Sequence, residues 1–146
     1  MAALSSAFET YEKPGIVISY KLSNNKVYKG ALVGTNASGY LVPMAHGTAN
    51  LKFAGIANET VDNSAGNAGD KSVNVTKSGT FVLKAASGFT PAQADVGKEL
   101  YSNTDWEVQI SAAGLTNAVK VGRIVSLETT STGATGVRCR VDDYTQ

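Results

Sequence analysis

The sequence predicts an all-β fold: a compact antiparallel β-barrel or sandwich with one short helix and an extended N-terminal arm. Three observations predict it. Short runs rich in Val, Ile, Thr and Tyr recur along the 146 residues, separated by clusters of Gly, Asn and Ser. Within several runs apolar and polar residues alternate, which is the two-residue period of a half-buried strand. The first fourteen residues show no such period and end at Pro14-Gly15. That break divides the chain into an arm over 1–14 and a single β-rich domain over 15–146.

The elements follow in order. Ile16, Ile18, Tyr20 and Leu22 alternate with Val17, Ser19 and Lys21, which predicts a first strand with one apolar face. Asn24 and Asn25 break it, and Val27 to Gly34 reads as a second strand returning. Asn36 to Gly39 suits a turn before Tyr40–Met44, where Pro43 predicts an edge or a strand end because proline cannot donate to a ladder. Phe53–Thr60 and Ser72–Thr76 read as strands flanking the polar loop Val61–Lys71, and Thr80–Ala85 as another apolar run. Thr90 as cap, Pro91 as first residue and Gly97 as stop predict one helical turn over Thr90–Val96. Trp106, Val108 and Ile110 alternate against Asp105, Glu107 and Gln109, which places those three at the core or a subunit interface. Val119–Glu128 reads as a long strand with a bulge or bend at Gly122. Val137, Cys139 and Val141 share a face opposite Arg138, Arg140 and Asp142.

Composition narrows the function classes. Hydrophobic residues make up 42% and charged residues 17%, and thirteen Lys/Arg against twelve Asp/Glu leave a net charge of +1. That balance argues against nucleic-acid binding by bulk electrostatics and against a basic membrane-surface module. No apolar run reaches the ~18 residues of a membrane span. The start, carrying Glu9 and Glu12, lacks the charged-then-apolar layout of a signal peptide. The lone cysteine, Cys139, excludes an internal disulfide framework.

Chemistry-bearing constellations are scarce. His46 is the single histidine and follows Pro43 in turn-like sequence, so a loop role is favoured over a base. Cys139 between Val137 and Val141 reads as a small buried hydrophobe rather than a reactive thiol. Asp105 with Glu107, and Asp142 with Asp143, read as solvated pairs. The loop holding Asp62, Asn63, Gly66, Asn67, Gly69 and Asp70 has oxygen donors without the spacing of a calcium loop. Gly66–Lys71 lacks the order of a phosphate loop. Tyr20, Lys21, Lys26, Tyr28 and Lys29 form a faint basic-aromatic pattern, which the acidic residues elsewhere offset. No catalytic residue, metal ligand or cofactor is expected, and a structural or binding role remains.

Several ordered stretches carry a resemblance. They are Tyr28-Lys-Gly-Ala-Leu-Val33, Asn36-Ala-Ser-Gly-Tyr40, Phe53-Ala-Gly-Ile-Ala57, Glu59 to Gly66 and Gly69-Asp-Lys-Ser-Val73. Ala94-Asp-Val-Gly-Lys98, Tyr101 and Asn117 to Val125 continue the series. In this order and spacing, over roughly Tyr28 to Val141, the chain resembles the small capsid decoration, or cement, proteins of tailed bacteriophages. The resemblance implies a β-rich, often trimeric protein on the outer surface of the virion, made in the host cytoplasm. Such a protein bridges neighbouring major-capsid subunits and stabilises the head. Met1–Leu22 departs from the pattern. Phe8, Tyr11 and Pro14 are the expected capsid-binding residues of the arm. The implied partners are the major capsid protein and further copies of this chain, with no nucleic acid and no membrane. A second reading is a β-sandwich glycan-binding module that stacks sugars on Trp106, Tyr101 and Tyr40. A third is a small β-barrel enzyme using His46 or Cys139.

Overall fold

The computed structural model describes Ser6 and residues 15–142. The arm positions Phe8, Tyr11 and Pro14, and Asp143 at the other end, lie outside the described residues.

The chain builds two β bodies in succession. Its first half supplies β1 (Val17–Lys21), β2 (Lys26–Val27), β3 (Leu32–Thr35), β4 (Leu41–Pro43), β5 (Lys52–Ala57), β6 (Val61–Asp62) and β7 (Ser72–Thr76). Five of these form an antiparallel sheet in the order β1-β7-β5-β3-β4, and β2 pairs with β6 as a separate ribbon. One residue, Lys77, separates β7 from the second half. That half holds β8 (Ser78–Ala85), β9 (Glu99–Ser102), β10 (Glu107–Gln109), β11 (Lys120–Thr129) and β12 (Thr135–Asp142). They close a barrel in the order β10-β8-β12-β11-β9, whose one parallel pair is β8 with β10. The all-β class is as expected.

Two apolar layers organise the fold, and the first of them joins the bodies. Leu32, Met44, Phe53 and Ile56 from the sheet join Leu83, Leu100, Val108, Val121, Ile124, Val137, Cys139 and Val141 from the barrel in one buried cluster. The sheet's opposite face, with Val33, Ala54, Ala57, Val73 and Val75, packs with Leu22, Val27 and Ala31 in a second cluster. Strand β5 feeds both, and a bulge makes that possible. Along β5, Phe53 faces the shared core, Ala54 the second layer, Ile56 the core again and Ala57 the second layer. Strict alternation would put Phe53 and Ile56 on opposite faces. The pairing with β3 slips by one residue here, and Gly55 takes a φ of 148° at the slip. A β-carbon at Gly55 would sit 2.2 Å from the Thr76 carbonyl oxygen. Gly122 in β11 repeats the device as expected: the register against β9 slips beside it, and Val121 and Ile124 both point inward.

Several expectations need correction. The run from Val27 to Gly34 is not one strand, because a tight turn in which the Ala31 amide donates to the Tyr28 carbonyl splits it into β2 and β3. The apolar face of β1 is buried only at Leu22 and partly at Tyr20; Ile16 and Ile18 are exposed, since β1 is an edge strand and the second cluster ends at Tyr20. The helical turn over Thr90–Val96 contracts to a 3-10 turn, Gln93–Asp95, flanked by Ala92 rather than Thr90. Asp95 Oδ2 accepts the Ala92 amide at 2.9 Å, so a carboxylate inside the turn closes it instead of a cap before it. Pro43 does lie in an edge strand, β4.

Candidate interaction surface

Apart from the scattered Val96, Val125 and Leu127, the large apolar side chains left in solvent gather in two places. Along the β1 edge, Ile16, Val17 and Ile18 are exposed consecutively. At the seam between the two halves, Tyr28, Val82 and Trp106 line a groove of about 570 Å³ together with Lys29, Lys84 and Asp105. Trp106 is 52% exposed and Tyr28 57%, unusual openness for rings that bury large apolar areas in most settings.

Local structure explains each position. The Tyr28–Ala31 turn is pinned from below, where the Lys29 amide donates to Thr60 Oγ1 at 3.0 Å and the Gly30 amide to the Ala57 carbonyl at 2.8 Å. The Leu32 amide then donates to the Asp105 carbonyl at 2.6 Å, joining the first half of the chain to the barrel beneath the groove. On the far wall Thr104 Oγ1 accepts the amides of Trp106 and Glu107 at 3.3 and 3.2 Å, a hydroxyl-capped turn that presents the indole outward. Strand β10 starts only at Glu107, which pairs with Lys84 across the parallel ladder. Lys84 Nζ meets Glu107 Oε2 at 3.1 Å and stands 4.2 Å from the Trp106 ring centroid, an ion pair and a cation–π contact on one ammonium. Lys26 Nζ lies 4.8 Å from the Tyr28 centroid in the same manner. Burial of Asp105 pushes its carboxyl above the ordinary carboxylate range.

The expected site residues therefore separate. Val108 is fully buried in the barrel and Ile110 packs against that core. Trp106 does not join them in the core: it belongs to the turn before β10 and stays half exposed. Tyr40 closes the turn after β3, its amide donating to Asn36 Oδ1, and Tyr101 lies in β9; neither lines the groove, so the three candidate sugar platforms do not converge. His46 Nδ1 accepts the Thr116 amide at 3.3 Å and its carbonyl accepts that of Asn117, which ties it to a loop contact between the halves. Cys139 is enclosed in the barrel core, where burial pushes its thiol up to about 12. Tyr20 turns toward Lys77 rather than toward Tyr28, so the basic-aromatic pattern does not form one surface.

In the Val61–Lys71 loop, Asp62 accepts from the Ser64 amide and hydroxyl, and Asp70 from the Asn67 amide. Asn63 is buried and donates to the carbonyls of Ser23 and Asn67, while its own Oδ1 has no hydrogen-bond partner among the described residues. Among the described residues, no group of three or more His, Cys, Asp or Glu is arranged to hold a metal ion, and no helix is long and apolar enough to cross a membrane. No family model, curated protein or solved structure matches the chain. The sequence singled out Trp106, and Tyr28 and Lys29 in a separate basic-aromatic pattern, without joining them, and it missed Val82. Tyr28 and Val82 are more than fifty residues apart, and only the closed barrel brings them to one seam.

Proposed function

We propose that this protein is a structural virion protein that binds the outside of an icosahedral phage head as a homotrimer and bridges neighbouring major-capsid subunits. The ordered motifs from Tyr28 to Val141 support this reading. The observation that carries it in three dimensions is the open apolar surface, with Ile16, Val17 and Ile18 on a sheet edge and Tyr28, Val82 and Trp106 in a seam groove. An unprotected apolar edge and contiguous exposed rings invite protein contacts and are otherwise liabilities. A protein that bridges subunits multiplies modest contacts by engaging several at once, and a cyclic trimer presents three equivalent sets to a three-fold position. In this reading the partners are the shell protein and sister copies, with no role for nucleic acid, membrane or cofactor. Cryo-electron microscopy of expanded heads mixed with the protein tests it. Density at three-fold or quasi-three-fold positions is expected; bare capsids at saturating protein would refute the reading.

The exposure of Trp106 also favours a glycan-binding module. Against it, the Lys84 ammonium already occupies one approach to the indole ring. A glycan array read together with sugar-dependent quenching of Trp106 fluorescence separates the two: quenching by a sugar supports the module, and silence across the array removes it.

A further inference from the structure

We infer that the groove between Tyr28 and Trp106 is the seat for residues 7–12 of a second copy of this chain. The inference rests on the self-association in the proposed function and not on its shell contacts.

The match is one of chemistry. The groove offers two aromatic side chains, Tyr28 and Trp106, one aliphatic, Val82, and two ammonium groups, Lys29 and Lys84. Residues 7–12 read Ala-Phe-Glu-Thr-Tyr-Glu, two aromatic side chains interleaved with two carboxylates. Phe8 and Tyr11 bring apolar area to Tyr28, Val82 and Trp106, and Glu9 and Glu12 bring the charge that Lys29 attracts, the Lys84 ammonium being already paired with Glu107 at 3.1 Å. Asp105 is the one carboxylate in the lining and is half-buried, while Lys29 and, over the Tyr28 ring at 4.8 Å, Lys26 supply two ammoniums beside it. The volume, about 570 Å³, lies in the range that accepts a few large side chains.

Such a contact joins unlike patches, a donor segment on one copy and a groove on the next. Contacts of that kind close a ring when each copy is turned a third of a revolution from the last, which is the geometry of a three-fold assembly. Phe8 and Tyr11 then have their mate in the sister subunit, in place of the shell contact expected from the sequence.

Trp106 is the chain's single tryptophan, so intrinsic fluorescence reports on the groove alone. Iodide quenching of the full chain is measured across protein concentration beside sedimentation velocity, without heads. Quenching is expected to fall as the oligomer forms. The Phe8→Ala/Tyr11→Ala variant is expected to keep an open Trp106 at every concentration and to weaken assembly roughly a hundredfold, as loss of two aromatic anchors does. Glu12→Lys and Lys29→Glu are each expected to weaken assembly, and their combination to restore it. Quenching that is low at all concentrations would place the chain's own segment in the groove and overturn the inference. So would an oligomer that leaves Trp106 open, or protection that survives the double alanine variant. Head binding is assayed separately: oligomers with a filled groove that leave heads bare retain this inference and lose the capsid reading, whereas decorated heads with an open groove do the reverse.

Discussion

The two faces of the central sheet solve the same packing problem with different side chains. Toward the barrel, β3, β5 and the β4 end present Leu32, Phe53, Ile56 and Met44, large groups that fill the shared core. Toward the small ribbon they present Val33, Ala54 and Ala57, and Leu22 and Val27 approach closely over them. One face must reach across to another body, and the other must let a two-stranded ribbon lie near the backbone. The difference teaches that β5 is written as two half-strands of opposite phase joined at Gly55. After the exposed Lys52, residues 53–57 look uniformly apolar because both faces are buried.

The largest effects are expected at the two bulge glycines. A β-carbon at Gly122 would lie 2.0 Å from the Arg140 carbonyl oxygen and 2.7 Å from Cys139 Sγ, and one at Gly55 meets the Thr76 carbonyl at 2.2 Å. Neither backbone neighbour can yield without breaking a ladder. Gly122→Ala and Gly55→Ala are each expected to cost about 4 kcal/mol, the upper end for single substitutions. Urea denaturation followed by circular dichroism and Trp106 fluorescence checks this. A small cost at Gly55 alone would mean that the phase change in β5 does not depend on the bulge.

The next effects divide the layers. Leu100→Ala empties a fully buried site in the shared core and is expected to cost about 4 kcal/mol. Ala54→Val overfills the ribbon layer and is expected to cost about 2 kcal/mol. Hydrogen exchange sharpens the contrast: Ala54→Val is expected to speed exchange at the Val27 and Asn63 amides while leaving β12 protected. Equal loss of protection in both halves would show one cooperative unit rather than two layers.

What was legible in the sequence follows the same division. The barrel face of β12 could be read directly, because Val137, Cys139 and Val141 alternate with two arginines on a strand buried on one side. The bulge at Gly122 could be read because a lone glycine interrupts an apolar strand pattern. The boundaries of β2 and β3 could not, since Tyr28 and Ala31 look strand-like and only the turn between them, held by Thr60 and Ala57, removes the segment from the ladder. The groove was legible only in unconnected pieces, Trp106 in one pattern and Tyr28 with Lys29 in another. Its alternation with Val108 is real, but burial depends on what lies over a residue, and the local pattern carries no information about that.

Two acidic residues offer a pH contrast between the seam and the 3-10 turn. Asp95 is held below its ordinary 3.8 by the Lys98 ammonium and the Ala92 amide. Its contribution is fully present above the unfolded value and lost as pH falls through the lower folded value, so stability should decline as pH drops below about 4. Asp105 has the opposite sign, since burial raises its pKa and its ionised form is disfavoured in the fold. Its penalty is present above the raised folded value and relieved as pH falls through the unfolded one. Asp105→Asn is therefore expected to raise Tm at pH 7 and to match the unmodified protein near pH 3. Asp95→Asn should lower Tm at pH 7, and its deficit should shrink only as pH falls through the lowered folded value of Asp95. Parallel shifts of both variants with pH would remove the distinction.

The smallest expected effect concerns Trp106 itself, set against its strand neighbour Val108. Val108 is fully enclosed, so Val108→Ala removes contacts on every side and is expected to cost about 2 kcal/mol. Trp106 keeps half its surface in water, and among the described residues its indole ring meets the Lys84 ammonium at 4.2 Å. Exposed cation–π contacts are worth about 0.5–1 kcal/mol, and Lys84 retains Glu107 when the ring is removed. Trp106→Ala is therefore expected to change folding stability by less than about 1 kcal/mol. Because the fluorophore is lost, the comparison is made by circular dichroism or calorimetry. A loss as large as that of Val108→Ala would make the indole a structural prop of the β8–β10 seam. A near-neutral result leaves a large aromatic side chain whose presence the folded monomer does not require, which is the signature of a residue kept for contact with another molecule.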